Sequence, residues 1–161
     1  MTEEKNYISK AGYQKLVDEQ DHLVRVERPE VTKVVTWAAS LGDRSENADY
    51  QYGKKRLREI DKRLRFLKKR IEAALIVENI KANLAKIQFG ATVTLIDEDD
   101  QKRTYIIVGV DEIDSRKNKI SWKSPIGNSL IGKELGDIVE VRTPNGTNEF
   151  EIVEIKYEEI K

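Results

Sequence analysis

Cysteine is absent from this chain, which excludes disulfides, thiolate chemistry and cysteine-ligated zinc. Histidine occurs once, at His22, in a stretch that reads as helix surface, so no imidazole cluster can complete a metal site. No run approaches the ~18 apolar residues of a membrane span, and the acidic start Met1-Thr2-Glu3-Glu4-Lys5 lacks the apolar segment of a secretory signal. The chain is therefore expected to be soluble and cytoplasmic. Net charge is missing too: 29 Lys and Arg balance 29 Asp and Glu, so the overall balance calls for no polyanionic partner.

What is present is unevenly placed. Charged residues make up 36% of the 161 residues, well above the roughly 25% of an average globular protein, and apolar residues 39%. Such a composition suits a shape with much surface and little core, such as an exposed helical hairpin. Residues 54–70 hold ten Lys and Arg against two acids, an excess the zero net charge conceals.

Ser9-Lys10-Ala11-Gly12 has the form of a helix start with Ser9 as N-cap. Apolar residues then recur at Tyr13, Leu16, Val17, Leu23, Val24, Val31, Val34, Val35, Ala38 and Leu41, mostly three, four or seven apart, as on one face of a long helix. Pro29 removes one backbone donor and crowds the preceding turn, so a kink or break is expected near Arg28-Pro29. A second helix carries Leu57, Ile60, Leu64, Leu67, Ile71 and Ala74 at alternating spacings of three and four, a heptad seam. Lys55, Arg58, Lys62, Arg63 and Lys69 lie on its other faces. Two such seams joined by a short turn should fold back as an antiparallel coiled-coil hairpin, with arms of roughly 45 Å.

The heptads end near Val77-Glu78-Asn79-Ile80, and the domain division is expected between a hairpin of residues 1–79 and a globular domain of 80–161. After Phe89 the pattern turns to strands. Residues 91–96 and 104–110 flank the turn Asp97-Glu98-Asp99-Asp100, and 138–143 and 149–156 flank Pro144-Asn145-Gly146. Ser124-Pro125-Ile126 reads as the start of a short helix. The expected class is α+β, with an antiparallel sheet in the second domain. Asp97–Asp100 lacks the glycine and spaced ligands of a calcium loop and reads as a solvated turn. Trp37 and Trp122 have no pattern that separates binding from packing.

Between the helices lies Leu41-Gly42-Asp43-Arg44-Ser45-Glu46-Asn47-Ala48-Asp49-Tyr50, with carboxylates at Asp43, Glu46 and Asp49. Carboxylates on a tight turn suit Mg²⁺, which takes only one or two of them and fills its shell from water or a partner. The same residues outline a capping box, with Asp43 or Ser45 capping the second helix, and spacing alone favours the cap. Composition alone likewise makes the basic run a solvated face. Tyr50 and Tyr52 read as packing against the first helix more readily than as stacking platforms.

Three stretches carry a resemblance: Arg28-Pro29-Glu30-Val31-Thr32-Lys33, residues 36–52, and Lys54-Lys55-Arg56-Leu57-Arg58-Glu59-Ile60-Asp61. They resemble bacterial transcript-cleavage factors of the Gre family. Arg44-Ser45, Tyr52 and the basic run resemble its GreB branch rather than GreA. Ser124-Pro125-Ile126 and Gly132-Lys133-Glu134-Leu135-Gly136-Asp137 are similar to the family's C-terminal domain, so the likeness spans the chain. It implies a coiled-coil hairpin plus an FKBP-like domain, acting on RNA polymerase as a monomer.

In that family the globular domain docks at the rim of the polymerase secondary channel and the hairpin enters it, where backtracked RNA extrudes its 3′ end. Carried over, Asp43 and Glu46 would be shared Mg²⁺ ligands, with Ser45 and Asp49 as supporting tip residues. Lys54, Lys55, Arg58, Lys62 and Arg63 would hold RNA, and Lys123, Ser124 and Pro125 would lie on the docking surface. The chain would be no enzyme alone but would stimulate RNA cleavage by the polymerase. A channel-occupying regulator without cleavage activity is the alternative. Lys123 departs from the family, which commonly carries an acid before this Ser-Pro; the charge is reversed on the surface expected to touch polymerase.

Overall fold

The computed structural model describes residues 6–78, 86–158 and 160. The expected division between residues 79 and 80 lies outside the described residues. The chain separates into two compact units, one of Gln14–Ala73 and one of Met1–Tyr13 with Ala74–Lys161.

The first unit is the hairpin. Helix α1 spans Lys10–His22, and Ser9 caps it as expected: its Oγ accepts from the Gly12 N–H at 3.1 Å. Helix α2 spans Arg28–Ser40 and α3 spans Ala48–Ala73, the latter 26 residues or about 39 Å long. The α3 seam forms as its heptads require. Ile60 and Leu67 are 1% and 0% exposed, and Leu57, Leu64 and Ile71 are half-buried. The seam runs four residues further toward the turn than its apolar residues indicate, because Gly53 is buried against Val35. A Cβ built there would lie 2.5 Å from Val35 Cγ2, so glycine is what lets the two helices approach.

Pro29 does not break the first arm. The segment Leu23–Glu27 between α1 and α2 is a π turn, with the Arg28 N–H donating to Leu23 O, five residues back. That widened ladder sits where a proline ring would otherwise meet the carbonyl four residues before it. It also repairs the seam. Leu16 and Leu23 are seven apart, as are Val31 and Ala38, but Leu23 and Val31 are eight apart. An extra residue in an α-helix would rotate the remainder of the arm by about 100°. The π turn absorbs it, so Leu16, Leu23 and Ala38 are all buried and Val31 is half-buried. Val24, Val34 and Leu41, expected on the same face, are exposed instead.

The second unit holds a mixed five-stranded sheet of order β5-β4-β3-β7-β6. Its strands are β3 (Thr92–Ile96), β4 (Lys102–Val108), β5 (Lys119–Ser121), β6 (Ile138–Thr143) and β7 (Gly146–Lys156). The expected hairpins form: β3 pairs antiparallel with β4 across the Asp97–Asp100 turn, and β6 with β7. The Asp97 carboxylate accepts from the N–H groups of Asp99 and Gln101, both at 2.9 Å, so it belongs to the turn.

The expected antiparallel sheet forms through three of its four pairings, and the fourth is parallel. Strand β5 runs parallel to β4, after two 3₁₀ turns at Val110–Glu112 and Ser115–Lys117 that bring the chain back alongside it. A second small sheet is also parallel: β1 (Asn6–Ile8) pairs with β2 (Ala74–Ile76). Ala74, the last expected seam residue, lies in that strand rather than in α3. Strand β1 is tied further into this unit by the Asn6 amide on Asp111 (3.0 Å) and by Glu112, whose carboxylate accepts from the Ser9 N–H, the Ser9 hydroxyl and the Gly109 N–H. These contacts place residues up to Tyr13 with the globular unit. Its core gathers Val93, Leu95, Ile107, Val139, Val141, Phe150 and Ile152 from the sheet and Leu130 from α4 (Pro125–Leu130).

Candidate functional site

The end of α2 and the start of α3 shape the turn between them. Gly42 has φ +106°, the left-handed conformation a helix end favours and side chains resist, and its N–H returns to Ala39 O. Asp43 then closes a tight turn on Ser45, its Oδ1 accepting from the Ser45 N–H at 3.1 Å and the Ser45 hydroxyl at 2.8 Å. Helix α3 begins only at Ala48.

The cap of α3 is neither Asp43 nor Ser45 but Asn47, whose Oδ1 accepts from the Tyr50 N–H at 3.1 Å. Its Nδ2 donates to Ala38 O at 2.8 Å, joining the two arms. An amide offers both an acceptor and a donor; a carboxylate could serve only the first bond. The capping-box reading of the acids is thereby corrected. Asp43 and Glu46 lie ahead of the cap and are exposed.

The Ser45 hydroxyl holds the Asp43 carboxyl below the ordinary carboxylate range, helped by the Ser45 and Glu46 N–H groups and by the Glu46 side chain. The structure thus brings Asp43, Ser45 and Glu46 together, with both Ser45 bonds on one Asp43 oxygen. Asp49 stands apart, exposed in the first turn of α3. Among the described residues no three acids or histidines converge into a possible metal site. Asp43 and Glu46 fit a hard cation such as Mg²⁺ as a partial oxygen shell and not as a complete one.

The cations of α3 divide into two sets. Arg63 pairs with Glu19 across the hairpin at 2.5 and 2.8 Å, and Arg56 pairs with Glu27 through its Nε at 2.7 Å and through Nη2. From the other arm Arg28 reaches Asp61 at 2.9 Å. These guanidinium groups lower the carboxyl pKa values of Glu19 and Asp61. Lys54, Lys55, Arg58 and Lys62 are exposed and outside these pairs, and Lys69 continues their row. Of the residues expected to meet RNA, Arg63 alone is engaged across the seam.

Tyr50 is half-buried with the Arg44 guanidinium 5.5 Å from its ring centroid. Tyr52, expected to pack on the first helix, is instead 73% exposed. Trp37 is 56% exposed, whereas Trp122 packs on the globular core with its ring 5.2 Å from that of Tyr7. In the second unit Ser124 caps α4 as expected, accepting from the Gly127 N–H at 3.1 Å, with Pro125 opening the helix. Lys123 is exposed, its ammonium 5.3 Å from the Trp122 ring centroid. No described helix is long and apolar enough to cross a membrane.

Sequence reasoning missed Asn47, Gly53 and Gln51, whose Nε2 donates to Arg44 O at 2.8 Å. Signals existed for two. Asn47 precedes Ala48-Asp49, an N-cap followed by an acid in the first turn, and Gly53 stands seven before Ile60.

Comparison with known proteins covers nearly the whole chain. Residues 6–76 match the family model described as transcription elongation factor, N-terminal. Residues 81–157 match that of transcription elongation factor, GreA/GreB, C-term. The transcription elongation factor GreB of Neisseria meningitidis serogroup B is 52% identical over 157 residues, covering 97% of this chain and 96% of that protein. GreB of Pseudomonas aeruginosa is 51% identical over 150 residues, covering 93% and 89% respectively. The crystal structure of GreA factor homolog 1 of Thermus thermophilus is 26% identical, covering 95% of this chain and 99% of that one. Its TM-score of 0.44 is too low for detailed comparison.

Proposed function

The chain belongs to the GreA/GreB family of transcription elongation factors, and from that premise we propose that it enters the secondary channel of RNA polymerase by its hairpin and stimulates cleavage of backtracked RNA. Asp43 and Glu46 supply part of the oxygen shell of a Mg²⁺ ion whose remaining ligands belong to the polymerase. Held there, the ion would supply charge stabilisation to the attacking and leaving oxygens. Ser45 orients the Asp43 carboxylate through two bonds to one of its oxygens. Asp49 supports the tip from the first turn of α3. Lys54, Lys55, Arg58 and Lys62 hold phosphates of the extruded RNA 3′ segment, with Arg63 kept in the hairpin by Glu19. The N-terminal end of α4, with Lys123, Ser124 and Pro125, faces the polymerase rim. The factor acts as a monomer.

The observation that carries this reading is that Asn47, not an acid, caps α3. Two exposed, adjacent carboxylates are then left without a capping duty at the end of a long hairpin. A half-shell at such a tip suits an ion held mainly by something else.

Cleavage assays on a stalled, backtracked elongation complex test it. Asp43→Asn and Glu46→Gln should each lower stimulated cleavage by roughly 100-fold, the loss of about 3 kcal/mol of charge stabilisation, while polymerase binding is retained. Undiminished cleavage by both variants rules out the ligand role. A wild-type factor that binds polymerase without stimulating cleavage would instead be a channel-occupying regulator.

A further inference from the structure

Every helix end leaves backbone groups without partners in the helix, the last carbonyls at one end and the first N–H groups at the other. At the hairpin tip both kinds of end meet, and one side chain serves both. Asn47 accepts from the Tyr50 N–H of α3 and donates to Ala38 O of α2, on a residue that is 0% exposed. One turn into α3, the Gln51 amide donates to Arg44 O in the middle of the loop. The loop is thus pinned at Arg44 and at Asn47. Each pinned residue directly follows one of the two acids, Asp43 before Arg44 and Glu46 before Asn47.

We infer that Asn47 and Gln51 are positioning residues: their primary amides fix the loop backbone so that Asp43 and Glu46 present their carboxylates to one ion. This rests on the ligand role proposed above and extends it to residues that touch neither metal nor RNA. A shared metal shell tolerates little error, about 0.5 Å in the placement of each ligand. Exposed loops do not hold that by themselves, and residues 41–46 are all exposed. The two amides supply the directional restraint that packing does not.

The amide at position 47 has two separable duties, and substitution can divide them. Serine caps a helix about as well as asparagine but is too short to reach Ala38 O, and it adds no charge. Asn47→Ser should therefore keep α3 and lose the bridge. Gln51→Met keeps the shape of the side chain and removes the donor to Arg44.

Two measurements decide the matter. In the free factor, NMR order parameters of the backbone at Asp43–Glu46 should fall in both variants while helical circular dichroism stays at the wild-type level. In the cleavage assay, the Mg²⁺ concentration for half-maximal stimulation should rise by about tenfold or more in Asn47→Ser, with polymerase occupancy unchanged; outer residues around metal ligands commonly act on this scale. The Gln51→Met shift should have the same sign and be smaller. An unchanged loop, or a loosened loop with an unchanged Mg²⁺ curve, overturns the inference while Asp43→Asn and Glu46→Gln still test the ligand role. A wild-type factor inert in cleavage sinks the functional reading and this inference with it.

Discussion

Between Gly53 and Ile71 the hairpin is held chiefly by apolar burial, flanked by the Arg56–Glu27, Arg63–Glu19 and Arg28–Asp61 pairs. Between Leu41 and Asn47 it is held by hydrogen bonds that need a particular atom in a particular place. Burial in the seam is non-directional, so its stabilisation is spread over Ile60, Leu67 and their half-buried neighbours. At the tip the restraints come singly, from the Ser45 hydroxyl, the Asn47 and Gln51 amides and the left-handed Gly42. Stability and activity are therefore expected to come apart along this hairpin: seam changes unfold it, and tip changes silence it.

Truncating the seam is the strongest way to break that contrast. Leu67→Ala removes a fully buried side chain and should cost about 2–5 kcal/mol, read as a lower Tm of the helical signal. Cleavage stimulated per folded molecule should stay near wild type; a loss at a temperature where the variant is fully helical would join the two regions after all. Gly53→Ala tests the place where they meet. Its methyl would stand 2.5 Å from Val35 Cγ2, close to the tip, and overpacking of this kind costs about 1–3 kcal/mol. Here both the Tm and the cleavage rate should fall, because spreading the helices at Gly53 also moves Asn47 from Ala38.

The smallest effect concerns pH. Glu19 and Asp61 have folded-state pKa values lowered by Arg63 and Arg28. A group of that sign contributes stability above its unfolded pKa and loses it as pH falls through the folded one. The hairpin should melt at a slightly lower temperature at pH 3 than at pH 7, and replacing Glu19 and Asp61 by Gln and Asn should flatten that difference. Both pairs are partly open to solvent, which keeps the effect small. The Asp43 pKa is lowered as well, by hydrogen bonds within a local turn at an exposed site.

How much of the hairpin was legible in the sequence depended on whether a residue's role repeats. The α3 seam was readable because Leu57, Ile60, Leu64, Leu67 and Ile71 state the same constraint several times. In the first arm the eight-residue step from Leu23 to Val31 is silent to any count of threes, fours and sevens. Val24, Val34 and Leu41 fit such a count and yet stand exposed. Strands of three residues, such as Lys119–Ser121 and Asn6–Ile8, are too short to show a period, and their partners are chosen by the surrounding fold.

The tip was the reverse case. Its acids were conspicuous, but spacing could not tell a cap from a ligand, because both uses favour carboxylates near a helix start. Only the identity of the true cap separates them. That hung on one asparagine whose amide makes two bonds, one of them to a carbonyl nine residues earlier in the chain.

The π turn at Leu23–Glu27 bears on the far end of the arm. It acts as a phase shifter between two helical halves, each with its own heptad count. Wound as plain α-helix, the same residues would carry Ala38, and the loop beyond it, about 100° round in azimuth. The compass bearing of the acidic tip is thus set roughly five helical turns away. The stretch that sets it was visible in the sequence only as a proline in an awkward place.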